Sequence, residues 1–195
     1  MTPFVGLTGG IGAGKSTALD ALERLGATCL STDSVVHELF ESPDVRDAVV
    51  NRFGPTVLAD GAIDRAALAR LAFATDADRG WLEQLLWPQV GGRIAAWREA
   101  ALQASPPPRA AVVEVPLLFE SGLDHGFDAT IAVIADEEIR HGRASGRGHE
   151  ALSERSARQL SQKEKSQRAT YTVVNDGSVP DLETKLSSIL DMLHR

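Results

Sequence analysis

The stretch GGIGAGKST at residues 9–17 constrains this chain more than any other. The apolar run FVGL at 4–7 precedes it, and ALDALERL at 18–25 follows with apolar positions at helical spacing. The order is strand, glycine loop, helix, with G-x-x-x-x-G-K-S in the loop. Glycines at 9, 10, 12 and 14 let successive backbone N–H groups turn inward onto phosphate oxygens, and the helix start adds its own free donors. The phosphate-binding set expected from this pattern is Gly9, Gly10, Gly12, Ala13, Gly14, Lys15, Ser16 and Thr17. Lys15 reaches the outer phosphates, and the Ser16 hydroxyl is placed to ligate Mg²⁺. A glycine-rich turn between two ordinary elements would account for the glycines, but not for a Lys-Ser pair at this offset. The loop specifies a nucleoside triphosphate such as ATP and leaves open what is done with it.

Composition narrows the class. A chain of 195 residues, 43% hydrophobic and 24% charged, is long enough for one well-buried core. The single cysteine, Cys29, excludes a disulfide framework and suits a reducing compartment. There is no basic leader at the N-terminus and no apolar run long enough to span a bilayer, so a cytoplasmic protein without membrane attachment is expected. The net charge of −7 is unevenly spread: residues 140–168 hold eight Lys/Arg against three Asp/Glu, a local +5, which leaves −12 for the rest. That acidic balance fits a nucleic-acid surface poorly and a small phosphate-rich ligand better.

Taken in order, ATCLS at 27–31 reads as a short buried strand with Asp33 just past its end. Ligands of open α/β sheets bind outside the carboxyl ends of strands, which would put Asp33 on the rim of the glycine loop. There it either accepts the proton of an attacking hydroxyl or caps the helix that follows. From Pro43 to about Ala104 the chain is helical in character, with Val45, Val49, Val50 and Phe53 as one apolar stripe, a turn at Asp60-Gly61, and Asp64 as a cap. Asp76 or Asp78 is the expected cap of a longer helix through Trp81, Leu82, Leu85 and Leu86, which should kink or break at Pro88. So many helices between strands exceed a simple crossover and read as an inserted region able to close over a substrate, although most of its Trp and Leu positions also suit a core.

After the stiff SPPP linker at 105–108, AAVVEV at 110–115 has the apolar, β-branched character of a central parallel strand. Its one acid, Glu114, is either a magnesium-organising carboxylate or a salt-bridged edge residue. FDATIAVI at 127–134 is a fourth strand, followed by the acidic cap DEE. Arg140, Arg143 and Arg147 then recur at i, i+3 and i+7, on one helical face, with Gly142, Gly146 and Gly148 weakening that helix. A second basic stretch runs from Arg155 to Lys165. Beside a phosphate loop, such arginines suit a lid that clamps phosphoryl oxygens, the alternative being a solvated basic face. YTVV at 171–174 is a fifth strand, with a turn at Asn175-Asp176-Gly177 and an amphipathic helix from about Asp181 to Leu193. The pattern is an α/β fold: one domain over residues 1–195, a doubly wound five-stranded parallel sheet, a largely helical insertion at 34–109 and a helical lid at 137–168.

With these stretches assembled, the chain resembles the dephospho-CoA kinase family over nearly its full length. LTGGIGAGKST at 7–17 is a close form of the family's opening, and VPLLFE at 115–120 resembles its mid-chain signature. Asp33 matches the aspartate taken in that family as the base for the acceptor hydroxyl. The segment from Leu82 to Pro88 resembles part of the substrate region, with Trp87 where the family usually has His. Glu114 stands where it usually has Asp. Arg143 and Arg147 match lid arginines; Arg155, Gln159 and Lys165 match the helices that follow; Asn175 and Gly177 match the adenine-side turn. The resemblance implies a P-loop kinase that uses ATP and Mg²⁺ to phosphorylate the ribose 3′-hydroxyl of dephospho-CoA. It also implies an acceptor site including Thr8, Asp33, Trp87, Pro88, Pro116 and Leu117, metal contacts from Ser16 and Glu114, and catalytic roles for Asp33, Lys15, Arg143 and Arg147. A monomer is expected.

Three other readings stand beside it. A kinase of another small metabolite would share the fold and differ in its acceptor. A nucleotide switch is disfavoured because neither N-K-x-D nor D-x-x-G occurs in the chain. A nucleic-acid module built on residues 140–168 would bind in a salt-sensitive way.

Overall fold

Strand β1 (Phe4–Gly9) is buried along its whole length and is the middle of the sheet. On one side it pairs with β5 (Ala111–Glu114), which in turn pairs with β2 (Thr28–Ser31) at the edge. On the other it pairs with β6 (Ala129–Ile134), and β6 with β7 (Tyr171–Val174) at the far edge. All these pairings are parallel, and the strand order β2-β5-β1-β6-β7 reverses direction at β1. That is the doubly wound arrangement, which brings the carboxyl end of β1 to the switch point where such sheets bind ligands. The computed structural model describes residues 1–144 and 159–194.

The chain divides into two compact units, Met1–Ser31 with Trp97–Arg195, and Thr32–Ala96. In the first, α1 (Lys15–Arg24) and the C-terminal α8 (Val179–Met192) lie together on the sheet. Ala18, Ala21 and Leu22 of α1 and Leu182, Leu186, Ile189 and Leu190 of α8 join Val5, Leu7, Val112, Ile131, Val133 and Val173 in one core. The i, i+4, i+7, i+8 spacing on α8 puts its four residues on one stripe. Its start is fixed by a capping box: the Ser178 hydroxyl accepts from the Asp181 N–H at 3.3 Å, and Asp181 accepts from the Ser178 N–H at 3.0 Å. Helices α6 (Glu137–Ala144) and α7 (Gln162–Arg168) also belong to this unit. The first strand is also gripped at its start, where Phe4 stacks on Phe127 at 4.6 Å and Arg98 lies over the Phe4 ring at 4.2 Å.

The second unit holds α2 (Thr32–Glu41), α3 (Pro43–Phe53), the hairpin β3 (Leu58–Ala59) and β4 (Ala62–Ile63), α4 (Arg65–Ala72) and most of α5 (Asp76–Gln103). Asp60 and Gly61 join the hairpin, both at positive φ (52° and 81°), as a tight Asp-Gly turn requires. Asp64 caps α4, accepting from the N–H groups of Ala66 and Ala67.

Four local expectations are corrected. Helix α5 does not break at Pro88: it runs on to Gln103, with the Gln89 side chain donating to the Leu85 carbonyl at 2.9 Å. Its cap is Thr75, whose hydroxyl accepts from the Asp78 N–H at 3.1 Å, and not Asp76 or Asp78. Asp33 is no N-cap, because α2 begins at Thr32 directly after β2 and Asp33 falls inside its first turn. Strand β2 is only partly buried, since it forms the sheet edge.

Candidate functional site

The glycine loop leaves the end of β1 in a conformation few residue types tolerate. Gly12 and Gly14 have φ of +76° and +89°, in the left-handed region. Side chains are also excluded by neighbours: a Cβ on Gly9 would collide with the Val133 carbonyl, one on Gly12 with the Arg140 backbone, and one on Gly14 with the Asn175 side-chain amide. Gly14 caps α1 without a side chain, so the N–H groups of the first turn, at Lys15, Ser16 and Thr17, lack intrahelical acceptors. These donors and the positive end of the helix dipole form an anion cradle.

The loop is bounded by two later parts of the chain. Asn175, buried just past β7, donates its side-chain amide to the Ala13 carbonyl at 2.9 Å. Arg143 on α6 donates from Nη1 to the Asn175 carbonyl at 3.2 Å. Gly12, Gly14, Lys15, Ser16, Thr17, Arg143, Asn175, Gly177 and Val179 line a cleft of about 300 Å³. The loop thus meets Arg143 about 130 positions on and Asn175 and Gly177 more than 150 positions on.

Lys15 points across the loop. Its Nζ is 3.4 Å from the Gly10 carbonyl and 3.8 Å from Glu114 Oε1 at the end of β5. Glu114 Oε2 accepts from the Ser31 hydroxyl at 2.8 Å, so the carboxylate is oriented between β2 and the loop. The remaining half-buried pair of the mid-chain signature, Pro116 and Leu117, follows β5. The Thr8 hydroxyl donates to the Pro116 carbonyl at 3.3 Å, while the Leu117 carbonyl accepts from the Ser121 hydroxyl at 2.7 Å.

Under this rim is an ion pair to which the sequence reading gave no role. Lys165 of α7 is fully buried and reaches Glu120 Oε1 at 2.8 Å, the Pro116 carbonyl at 2.9 Å and the Thr8 hydroxyl at 3.2 Å. Burial pulls its ammonium below the usual lysine range, and the hydrogen bond and charge of Glu120 oppose that shift. Glu120 Oε1 also accepts from the Leu160 N–H at 2.7 Å. In the sequence, Glu120 closes the apolar run VPLLF and Lys165 ends the second basic stretch, but nothing local joins the two as a buried pair.

In the second unit, Asp33 is half-buried in the first turn of α2. Trp87 and Pro88 are exposed on α5, the indole at 45%. Arg147 and Arg155, with Gly146 and Gly148, lie outside the described residues.

Comparison with known proteins bears on what this site does. A family model described as dephospho-CoA kinase matches residues 3–181. The dephospho-CoA kinase of Deinococcus radiodurans is 39% identical over 192 residues, covering 97% of this chain and 91% of that protein. That of Lactobacillus johnsonii is 34% identical over 200 residues, with both chains covered in full, 100% each. Among solved structures, TT1252 from Thermus thermophilus is similar with a TM-score of 0.79 at 34% identity, over 99% of each chain. The dephospho-CoA kinase from Campylobacter jejuni has a TM-score of 0.64 at 21% identity, over 98% of this chain and 97% of that one, a likeness of fold.

Proposed function

The chain belongs to the dephospho-CoA kinase family, and from that premise we propose that it transfers the γ-phosphoryl group of ATP to the ribose 3′-hydroxyl of dephospho-CoA. The products are CoA and ADP, in the last step of coenzyme A biosynthesis. The observation that carries this reading is the glycine loop with Lys15, bounded by Arg143 and Asn175 in one cleft, inside a chain matched almost end to end.

Phosphoryl transfer asks a protein for positioning and charge stabilisation more than for covalent chemistry. The N–H groups of residues 9–17 and the Lys15 ammonium hold the phosphates of ATP. Asn175 and Gly177 take the adenine side. Arg143, joined by Arg147, offsets charge on the transferring group. Asp33 accepts the proton of the acceptor hydroxyl, and Thr8, Trp87, Pro88, Pro116 and Leu117 contribute to the acceptor site. Within a single P-loop kinase domain, residues 34–109 supply the substrate region and 137–168 an arginine-rich lid that excludes water as a competing acceptor.

The residues present fit Mg²⁺. Ser16 offers an exposed hydroxyl at the start of α1, and Glu114 an oriented carboxylate at the end of β5. Among the described residues no cluster of three His, Cys, Asp or Glu is built to hold a metal alone. One hydroxyl and one carboxylate beside a phosphate cradle match an ion that takes most of its ligands from phosphates and water. Bound there, Mg²⁺ would neutralise phosphate charge. Among the described residues no helix is long and apolar enough to cross a membrane, and the reading has the protein acting in the cytoplasm as a monomer, on dephospho-CoA and ATP with no nucleic acid involved.

Asp33→Asn tests the catalytic assignment. Removing a general base lowers turnover by about 10²–10⁴-fold, while the dissociation constant for ATP stays within about twofold of wild type. Near-normal turnover in this variant would reduce Asp33 to an ordinary first-turn residue of α2.

A further inference from the structure

The glycine loop has an outer wall as well as a phosphate-facing side, and Arg140 builds that wall. Its Nε donates to the Ile11 carbonyl at 2.9 Å. The guanidinium lies over Gly10, where an added Cβ would come 3.0 Å from Nη2, and the Arg140 backbone backs Gly12 too closely for any side chain. One helical turn on, Arg143 holds the Asn175 carbonyl, and Asn175 holds that of Ala13. The carbonyls of residues 11 and 13 are therefore both taken up from outside the loop.

A trans peptide points its C=O and the following N–H in opposite directions. Pinning the Ile11 carbonyl toward Arg140 aims the Gly12 N–H the other way, and pinning the Ala13 carbonyl toward Asn175 does the same for Gly14. We propose that Arg140 is a positioning residue for nucleotide binding, acting through the Ile11 peptide to present the Gly12 N–H to phosphate without touching phosphate itself. The inference rests on the reading that this loop binds nucleotide phosphates. It separates Arg140 from Arg143, its neighbour on α6, although the i, i+3 spacing puts both on one face.

Equilibrium titrations of ADP and adenosine against Arg140→Met and Arg140→Lys test it, with backbone amide exchange of residues 10–14 measured in the protein without nucleotide. Arg140→Met keeps part of the apolar stem and loses the donor. It is expected to bind ADP about tenfold more weakly, the worth of one charge-assisted hydrogen bond, with adenosine affinity unchanged, a melting temperature near wild type and faster exchange in the loop. Arg140→Lys keeps the charge but has no donor at the Nε position, and recovers little of the lost ADP affinity. Three results would overturn the proposal: ADP binding to Arg140→Met within twofold of wild type, full recovery by lysine, or weakened ADP binding with unaltered loop exchange, which would mean direct phosphate contact. The underlying reading fails separately. A wild-type protein that binds ADP no better than adenosine removes the loop's role and this inference with it. One that binds ADP but does not phosphorylate dephospho-CoA leaves the role of Arg140 standing.

Discussion

Two lysines, each paired with a glutamate from the same stretch of chain, do opposite things. Lys15 faces Glu114, the last residue of β5, at 3.8 Å, and its side chain is 14% exposed in the wall of the cleft. Lys165 meets Glu120, six residues further on, at 2.8 Å with no exposure at all, and its remaining donors go to Thr8 and Pro116. The first cation is within reach of a ligand; the second is enclosed by the protein. Thr8 lies between them, one residue before the loop, so the closed pair supports the floor on which the open one stands. A charge that must act on phosphate keeps a path to it. A charge that must fix β1, the mid-chain turn and α7 together gives up that path for short contacts.

This contrast is most exposed at Lys165. Lys165→Met strands the Glu120 carboxylate, whose buried Oε2 has no hydrogen-bond partner among the described residues, and breaking a buried pair in this way costs about 3–5 kcal/mol. Urea unfolding should show that loss, with part of it recovered in Lys165→Met/Glu120→Gln. An unchanged midpoint together with lost turnover would put Lys165 among the working residues and break the contrast. Lys15→Met should behave in the reverse way. Removing one preorganised stabiliser of transition-state charge lowers kcat by about 10²–10³-fold, while the unfolding midpoint moves little. Asn175→Ala lies between the two. It removes the bond to the Ala13 carbonyl, so ADP affinity falls by about fivefold and stability by about 1 kcal/mol.

The smallest effect belongs to a half-buried thiol on the edge strand β2. Burial, with Glu23 and then Asp20 adding to it, pushes the Cys29 thiol up from 9.0 to about 12. Between those values the unfolded chain has lost a proton that the folded chain keeps, so stability falls as pH rises above about 9. At pH 10 the loss is on the order of 1 kcal/mol. Stability measured from pH 8 to pH 10.5 should decline less steeply in Cys29→Ala, with turnover at neutral pH unchanged; equal slopes would contradict the assignment.

Much of this was legible in the sequence because it is local. The glycine loop, the five strands, the caps at Asp64 and Asp136 and the Asp60-Gly61 turn are each set by neighbours a few residues away. Thr75 could have been found, since it stands three residues before Asp78 at the helix start and its hydroxyl bonds both the Asp78 N–H and its carboxylate; Ser178 and Asp181 form a full capping box at α8. The continuity of α5 through Pro88 was not, because the local effect of a proline is to interrupt a helix and the helix runs on regardless. Arg140 and Lys165 were opaque for a different reason. Their partners lie 129 and 45 to 157 positions away, at Ile11 and at Glu120, Pro116 and Thr8. Only the order of strands around β1 brings them together. Periodicity placed Arg140 correctly on the face shared with Arg143, yet could not say that its guanidinium would meet a peptide carbonyl.

The most direct test of the account follows the transferred phosphoryl group. Purified protein is given Mg-ATP labelled in the γ-phosphoryl group, with dephospho-CoA or with a nucleoside monophosphate as acceptor, and the products are separated. The account predicts label in CoA, on the ribose 3′-oxygen, with one ADP released per CoA formed and little label in the monophosphate control. Label in the control with none in CoA would contradict it.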